Sequence, residues 1–222
     1  MCNIKKYNNS GLLFFNSYTA FNSFFYIKPQ IRIDIIRNEI INNLNKIIID
    51  KEDLFIHIRS GDIFIYPHPS YSQPPLCFYR KILNNNKYKK VYLISQSDNN
   101  PIIEKLIKEY PSIIHFKNSI KKDISFLVNA YNLVASVSTF FISIIELNYN
   151  LRYVWDYNNY KISTKIISFH YDLYKFPNNF IIFRMEPSLI YQNIMYKWKN
   201  TKRQRKLMLK EKCFNNFRII YK

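Results

Sequence analysis

The chain has 222 residues, 48% of them apolar and 18% aromatic, with 33 Lys and Arg against 15 Asp and Glu for a net charge of +18. This length and apolar share fit one large domain, or one domain with a reduced second lobe, and exclude a largely disordered chain. The basic balance is spread evenly through a sequence rich in Lys, Asn, Ile and Tyr, so it is weak evidence for nucleic acid and suits an anionic ligand such as a nucleotide diphosphate.

Residues 1–10 are polar. Residues 11–27 are apolar but broken by Asn16, Ser17, Asn22 and Ser23. They are short for a membrane span and read as a buried strand at Leu12–Phe15 with a loop, or as a poor signal-anchor. No convincing signal peptide or transmembrane helix is found. Ile31, Ile35, Ile36, Ile40 and Leu44 fall at helical spacing after Pro29, which predicts a helix over 31–46. Leu54-Phe55-Ile56-His57-Ile58 alternates as a strand and runs directly into Arg59-Ser60-Gly61-Asp62.

Four prolines, Pro67, Pro69, Pro74 and Pro75, make 63–75 a structured loop. Beyond it the pattern predicts a helix at 76–84, a strand at 91–95, a loop at 96–100, and a helix at 101–110 with Pro101 in its first position. A strand at 112–116, a helix at 123–131, a strand at 133–136, a helix at 139–147 and a strand at 152–155 follow. Alternating strands and helices with short links predict a parallel, Rossmann-like sheet. After residue 157 the pattern loosens, with one more strand at 180–184 and a long basic helix over 188–212 that carries Ile190, Ile194 and Trp198 on one side. That helix is read as a solvated face packing back across the domain, ahead of a nucleic-acid or nuclear-localisation reading. Cys2, Cys77 and Cys213 are widely separated, which excludes a dense disulfide framework and offers no metal-ligand spacing. One pair is able to bridge, and free thiols are expected.

Strand tips of a parallel sheet are where ligands bind, and three polar groups fall there. Arg59 offers paired donors to phosphate oxygens. Gly61 is one of only two glycines in the chain, which marks a positive φ or a close backbone approach. Asp98 lies in the second loop, suited to a ribose hydroxyl or a purine amino edge, or to turn formation before Pro101. Ser138 and Thr139 open a helix, with hydroxyls and free N–H groups for a diphosphate, or as plain N-caps. A solvated Arg59–Asp62 turn is the competing reading of the first group. With two glycines, a G-x-G-x-x-G dinucleotide fingerprint is impossible.

His57-Ile58-Arg59-Ser60-Gly61-Asp62 resembles the H-x-R-R-G-D-type motif of the GDP-fucose-dependent fucosyltransferases, which include alpha-1,2-, alpha-1,6- and protein O-fucosyltransferases. VYLISQSDNNPIIEKL resembles their strand–S-D-D–helix segment. KKDISFLVNAYNLVASVSTFFISIIEL resembles the block ending in a Ser-Ser helix start. The likeness spans about residues 50–157.

The resemblance implies the donor-binding half of a GT-B fold over 51–222, with a reduced acceptor-side segment at 1–50, a fragment, or a chain that has lost activity. It implies inverting, metal-independent transfer of fucose or a related sugar from a GDP-sugar to a glycan or glycoprotein hydroxyl, with no cofactor. Arg59 would clamp the diphosphate, His57 and Asp98 would contact the nucleoside, and Gly61, Ser138 and Thr139 would add binding groups. Ser60 replaces the motif's second Arg. The family's Glu base has no counterpart, which leaves Asp62 and His68 as candidate general bases beside Arg59. The family implies the secretory pathway, whereas a chain without an upstream anchor would be cytoplasmic. The rival functions are a catalytically inactive sugar-nucleotide-binding module and, last, a basic nucleic-acid-binding protein; no stable nucleic-acid partner is expected.

Overall fold

The computed structural model describes residues 47–69, 71–157 and 180–221, together with Asn38 and Leu44. The expected strand at 12–15 and the apolar stretch 11–27 lie outside the described residues, and of the helix expected over 31–46 only Asn38 and Leu44 are described.

Six strands run parallel: β1 (Leu54–Ile58), β2 (Val91–Ser95), β3 (Ile114–Phe116), β4 (Asn132–Val134), β5 (Tyr153–Tyr157) and β6 (Ile181–Met185). A short strand β7 (Arg218–Tyr221) adds antiparallel to β6. The order is β3-β2-β1-β4-β5-β6-β7. The chain steps outward from β1 to β3, then returns past β1 to β4 and continues the other way. This is the doubly wound α/β plan, compatible with a Rossmann-like domain.

The two crossover directions place helices on opposite faces. One face holds α1 (Leu76–Asn85) and α2 (Pro101–Glu109), joined by α5 (Leu189–Met195) and α6 (Lys202–Lys210). Leu54, Ile56, Ile58, Trp155 and Trp198 pack there. The other holds α3 (Ile120–Leu127) and α4 (Thr139–Leu147) over Phe55, Leu133, Val154 and Ile182. Strand β1 is therefore covered on both sides, as a central parallel strand must be.

Local chemistry sets the element ends. Asn100 caps α2 by accepting from the Ile102 N–H, with Pro101 in the first turn. Ser138 caps α4 through the Phe140 N–H, and the helix runs over 139–147 as the sequence predicts.

Three expectations are corrected. The single helix over 188–212 is two helices, because Thr201 and Gln204 form a capping box that starts α6 afresh. Buried Gln204 also donates to the carbonyls of Ile194 and Lys197, tying the two helices together across the break. Trp198 is fully buried while Ile190 is exposed, so these two do not share a face. Finally, Cys77 and Cys213 are bonded, with their Cα atoms 5.6 Å apart, so free thiols are not what this pair carries. The bridge joins the first turn of α1 to the segment after α6.

Among the described residues, no helix is long and apolar enough to cross a membrane.

Candidate functional site

The strand order reverses between β1 and β4, which opens a crevice at the carboxyl ends of these two strands. What lies there is decided by the residues that follow each strand: Arg59 to Asp62 after β1, and Ala135 to Ser138 after β4.

The β1 loop is held in place mainly by its neighbour after β2. Gly61 has φ +73°, and an added Cβ would lie 2.5 Å from Gln96 Oε1, so both reasons for a glycine hold. Its N–H donates to Ser97 Oγ (3.0 Å) and Asn99 Oδ1 (2.8 Å), and its carbonyl accepts from Asn99 Nδ2 (2.9 Å). The Ser97 N–H returns a bond to Ser60 Oγ (3.0 Å). Buried Asn100, besides capping α2, donates to the Arg59 carbonyl (3.0 Å) and to Gln73 Oε1 (3.4 Å). Gln73 is fixed in turn by the Tyr191 hydroxyl, which donates to its carbonyl (2.6 Å). Arg59 thus sits on a backbone pinned from two directions.

The Arg59 guanidinium lies over the Tyr71 ring, 5.7 Å from its centroid. Its Nη2 donates to Asp62 Oδ2 (2.8 Å), so the solvated-pair reading of this turn is present in the structure. The Asp62 side chain is 58% exposed against 24% for Arg59. An exposed pair of this kind is worth about 0–1 kcal/mol, whereas a charge-assisted bond to phosphate is worth about 1.5–3 kcal/mol. An anion can therefore outbid Asp62. The Arg59 Nε is buried without a hydrogen-bond partner, leaving the guanidinium only partly satisfied within the chain.

Across the crevice, His57 Nδ1 is hydrogen-bonded to Ser136 Oγ at 2.5 Å, and the imidazole packs beside Phe140 and Phe141. Burial, helped by the positive charge of Arg59, lowers its pKa from 6.5 to about 4, so His57 is neutral at physiological pH. The N-terminus of α4 opens just beyond Ser136, and the Ser138 hydroxyl is taken up by capping it. The backbone of Thr139 begins that helix.

Two other predicted residues lie on neighbouring loops. Asp98 is paired with Lys117, and its Oδ1 lies 3.9 Å from His115 Nε2, which turns it toward the end of β3. His68 lies on the exposed loop after the 3-10 turn Gly61–Phe64, its ring edge-on to Tyr71. The structure therefore brings together His57, Arg59, Gly61, Asp62 and the Ser136–Ser138 segment, with His68 against the Tyr71 ring over which Arg59 lies, and turns Asp98 toward Lys117. Of the brace on the β1 loop, Ser97 and Asn99 belong to the strand-tip loop around Asp98 that the sequence marks, whereas Asn100 and Gln73 were not singled out. The local signal for Asn100 is the Asn-Asn-Pro run at 99–101, which marks a cap.

Farther along the same edge, Asp156 of β5 and Arg184 of β6 are register partners joined through Arg184 Nε to Asp156 Oδ2 (2.8 Å). Arg184 is buried and Asp156 nearly so, and desolvation pushes the Asp156 carboxyl up despite its partner. No group of three or more His, Cys, Asp or Glu suited to a metal ion occurs among the described residues. Compared with protein-family models, curated proteins and solved structures, the chain has no match.

Proposed function

We propose that the crevice between β1 and β4 takes the diphosphate of a sugar nucleotide, and that the chain is the donor-binding half of a GT-B glycosyltransferase. The donor is a GDP-sugar, and the reaction is inverting transfer of fucose or a related sugar to a glycan or protein hydroxyl, as the fucosyltransferase-like motif implies. The observation that carries this reading is the placement of Arg59 at the point of strand-order reversal, opposite the N-terminus of α4.

In this reading Arg59 exchanges Asp62 for the diphosphate and neutralises the charge that grows on the leaving group. The α4 N–H groups face the same phosphates. Neutral His57, oriented by Ser136, contacts the nucleoside as donor or acceptor. Asp62, once released, is the nearest carboxylate to the acceptor side. The Cys77–Cys213 bond supports an oxidising compartment, in keeping with the secretory pathway.

A second reading, a sugar-nucleotide-binding module without catalysis, draws on Asp62 being paired with Arg59. Calorimetric titration with GDP tests both readings at once. Wild type binds and Arg59→Ala binds roughly 10- to 100-fold more weakly, the equivalent of one charge-assisted bond. Absence of GDP binding by wild type rejects both readings. Turnover of GDP-fucose in a screen of glycan acceptors separates the enzyme from the binding module.

A further inference from the structure

The 3-10 turn after β1 and the connection between α5 and α6 are stitched into one surface. Trp198 Nε1 donates to the Ile63 carbonyl (2.9 Å), Asn200 Nδ2 to the Phe64 carbonyl (2.5 Å), and the Trp198 N–H to the Pro69 carbonyl (3.3 Å). The Arg205 guanidinium lies over the Phe64 ring. With Trp198 and Phe64 turned inward, the outward side of the same segments is left with large apolar groups. Ile65 is 64% exposed, Tyr66 81% and Tyr196 59%. Leu189 (76%) and Ile190 (69%) are exposed on α5, where Leu189 lies two helical turns before Tyr196, the residue that ends the helix in αR conformation.

Along α5 and α6 the charge on this surface is positive, with Asp62 an exposed carboxylate at the edge of the 65–66 turn. From 187 to 210 the chain carries seven Lys and Arg and no Asp or Glu. Lys197, Lys199, Lys202 and Arg203 are all exposed beside the apolar groups. Elsewhere some lysines pair with carboxylates, as Lys89 does with Asp50 and Lys117 with Asp98. A solvated basic face has no use for aliphatic side chains at this exposure. A nucleic-acid face would use the tyrosines and lysines but would leave Ile65, Leu189 and Ile190 without a role. Cations ringing exposed aliphatic and tyrosine side chains are the composition of a surface that lies in the headgroup layer of a bilayer.

The geometry points to this face, formed by the 65–66 turn, α5 and the start of α6, as a docking surface for an anionic lipid membrane. The inference stands independently of the sugar-nucleotide reading.

Sedimentation of the full chain with phosphatidylcholine vesicles, with and without phosphatidylserine, tests it. Binding is expected to the phosphatidylserine vesicles alone and to weaken as salt rises. Neutralising one lysine costs about fivefold in vesicle affinity, so Lys197→Gln, Lys199→Gln and Lys202→Gln together cost about a hundredfold. Ile65→Ser with Leu189→Ser weakens binding while keeping its salt dependence. Because all five side chains are exposed, the thermal melt of each variant should match wild type, which shows that a loss of binding is not a loss of fold. The inference is overturned by an absence of vesicle binding, by equal binding to both vesicle types, or by an oligonucleotide binding that is as tight and indifferent to Ile65→Ser.

Discussion

Alanine at Gly61 meets two separate obstacles at one atom, and the structure says which is the larger. The first is backbone strain: φ is +73°, where an L-residue pays about 1–2 kcal/mol. The second is contact, since the new Cβ would fall 2.5 Å from Gln96 Oε1 and 2.8 Å from its Cδ. Gln96 is exposed, and these atoms are the far end of a flexible side chain. It can turn aside for under about 1 kcal/mol. The backbone cannot relax so cheaply. Moving residue 61 to negative φ breaks its bonds to Ser97 and Asn99, three in all, at about 0.5–1.5 kcal/mol each. The strain is therefore accepted, and Gly61→Ala should lower unfolding free energy by about 1–2 kcal/mol. Urea denaturation read by tryptophan fluorescence measures it, with the slope against urea unchanged. Adding Gln96→Ala should recover less than about 0.5 kcal/mol, because contact is the minor cost. Full rescue by Gln96→Ala, or a loss above about 4 kcal/mol, would refute this division.

Three further perturbations have worked outcomes. Cys77→Ser opens a loop closed across 136 residues, so chain entropy sets a loss of up to about 5 kcal/mol, and thiol titration of denatured wild type should find Cys77 and Cys213 blocked. Asp156→Ala leaves Arg184 charged and 6% exposed without its partner, which should cost about 3–5 kcal/mol in urea unfolding, well above a surface-pair change such as Lys89→Ala. His57 has its folded pKa depressed from 6.5 to about 4, so below pH 6.5 the unfolded chain takes up the proton first and stability falls as pH drops through that window, by up to about 3 kcal/mol. Asp123, raised to about 6 by burial, works in the opposite sense over the same range, and lowered His115 adds to His57. The contribution of His57 is therefore read as the difference between wild type and His57→Gln at pH 7 and pH 5, and equal pH dependence in the two proteins would remove it.

What was legible in the sequence is what local chemistry decides. A glycine in a chain with two of them declared its positive φ, and Ser138 before an apolar run declared the start of α4. The parallel sheet followed from alternating strands and helices. The break between α5 and α6 was also written locally, as Thr201-x-x-Gln204, but the spacing of Ile190, Ile194 and Trp198 suggested one continuous helix. Long-range outcomes were not legible. Cys77 and Cys213 meet only because α6 packs on α1, and Asp98 is turned by a lysine just past the end of β3. Short β7 gains its strand character from the open edge of β6 and has little pattern of its own.

The balance at Arg59 depends more on its support than on its own contacts. Asn100, Gln73 and Tyr191 are each at most 1% exposed, and they join the Arg59 carbonyl to the 71–73 loop and to α5. A turn needed only to connect β1 to α1 would not bury an Asn and a Gln, since each costs free energy unless its bonds are made. Such groups make sense where a charged side chain must be held to within a fraction of an ångström. Asp62, by contrast, is the more exposed partner, held by the ion pair to Arg59 and by its Oδ1 accepting the Ile63 N–H (2.9 Å). The fixed element is thus the Arg59 backbone, with the guanidinium lying over Tyr71, and an incoming anion that takes the guanidinium leaves Asp62 its bond from the Ile63 N–H.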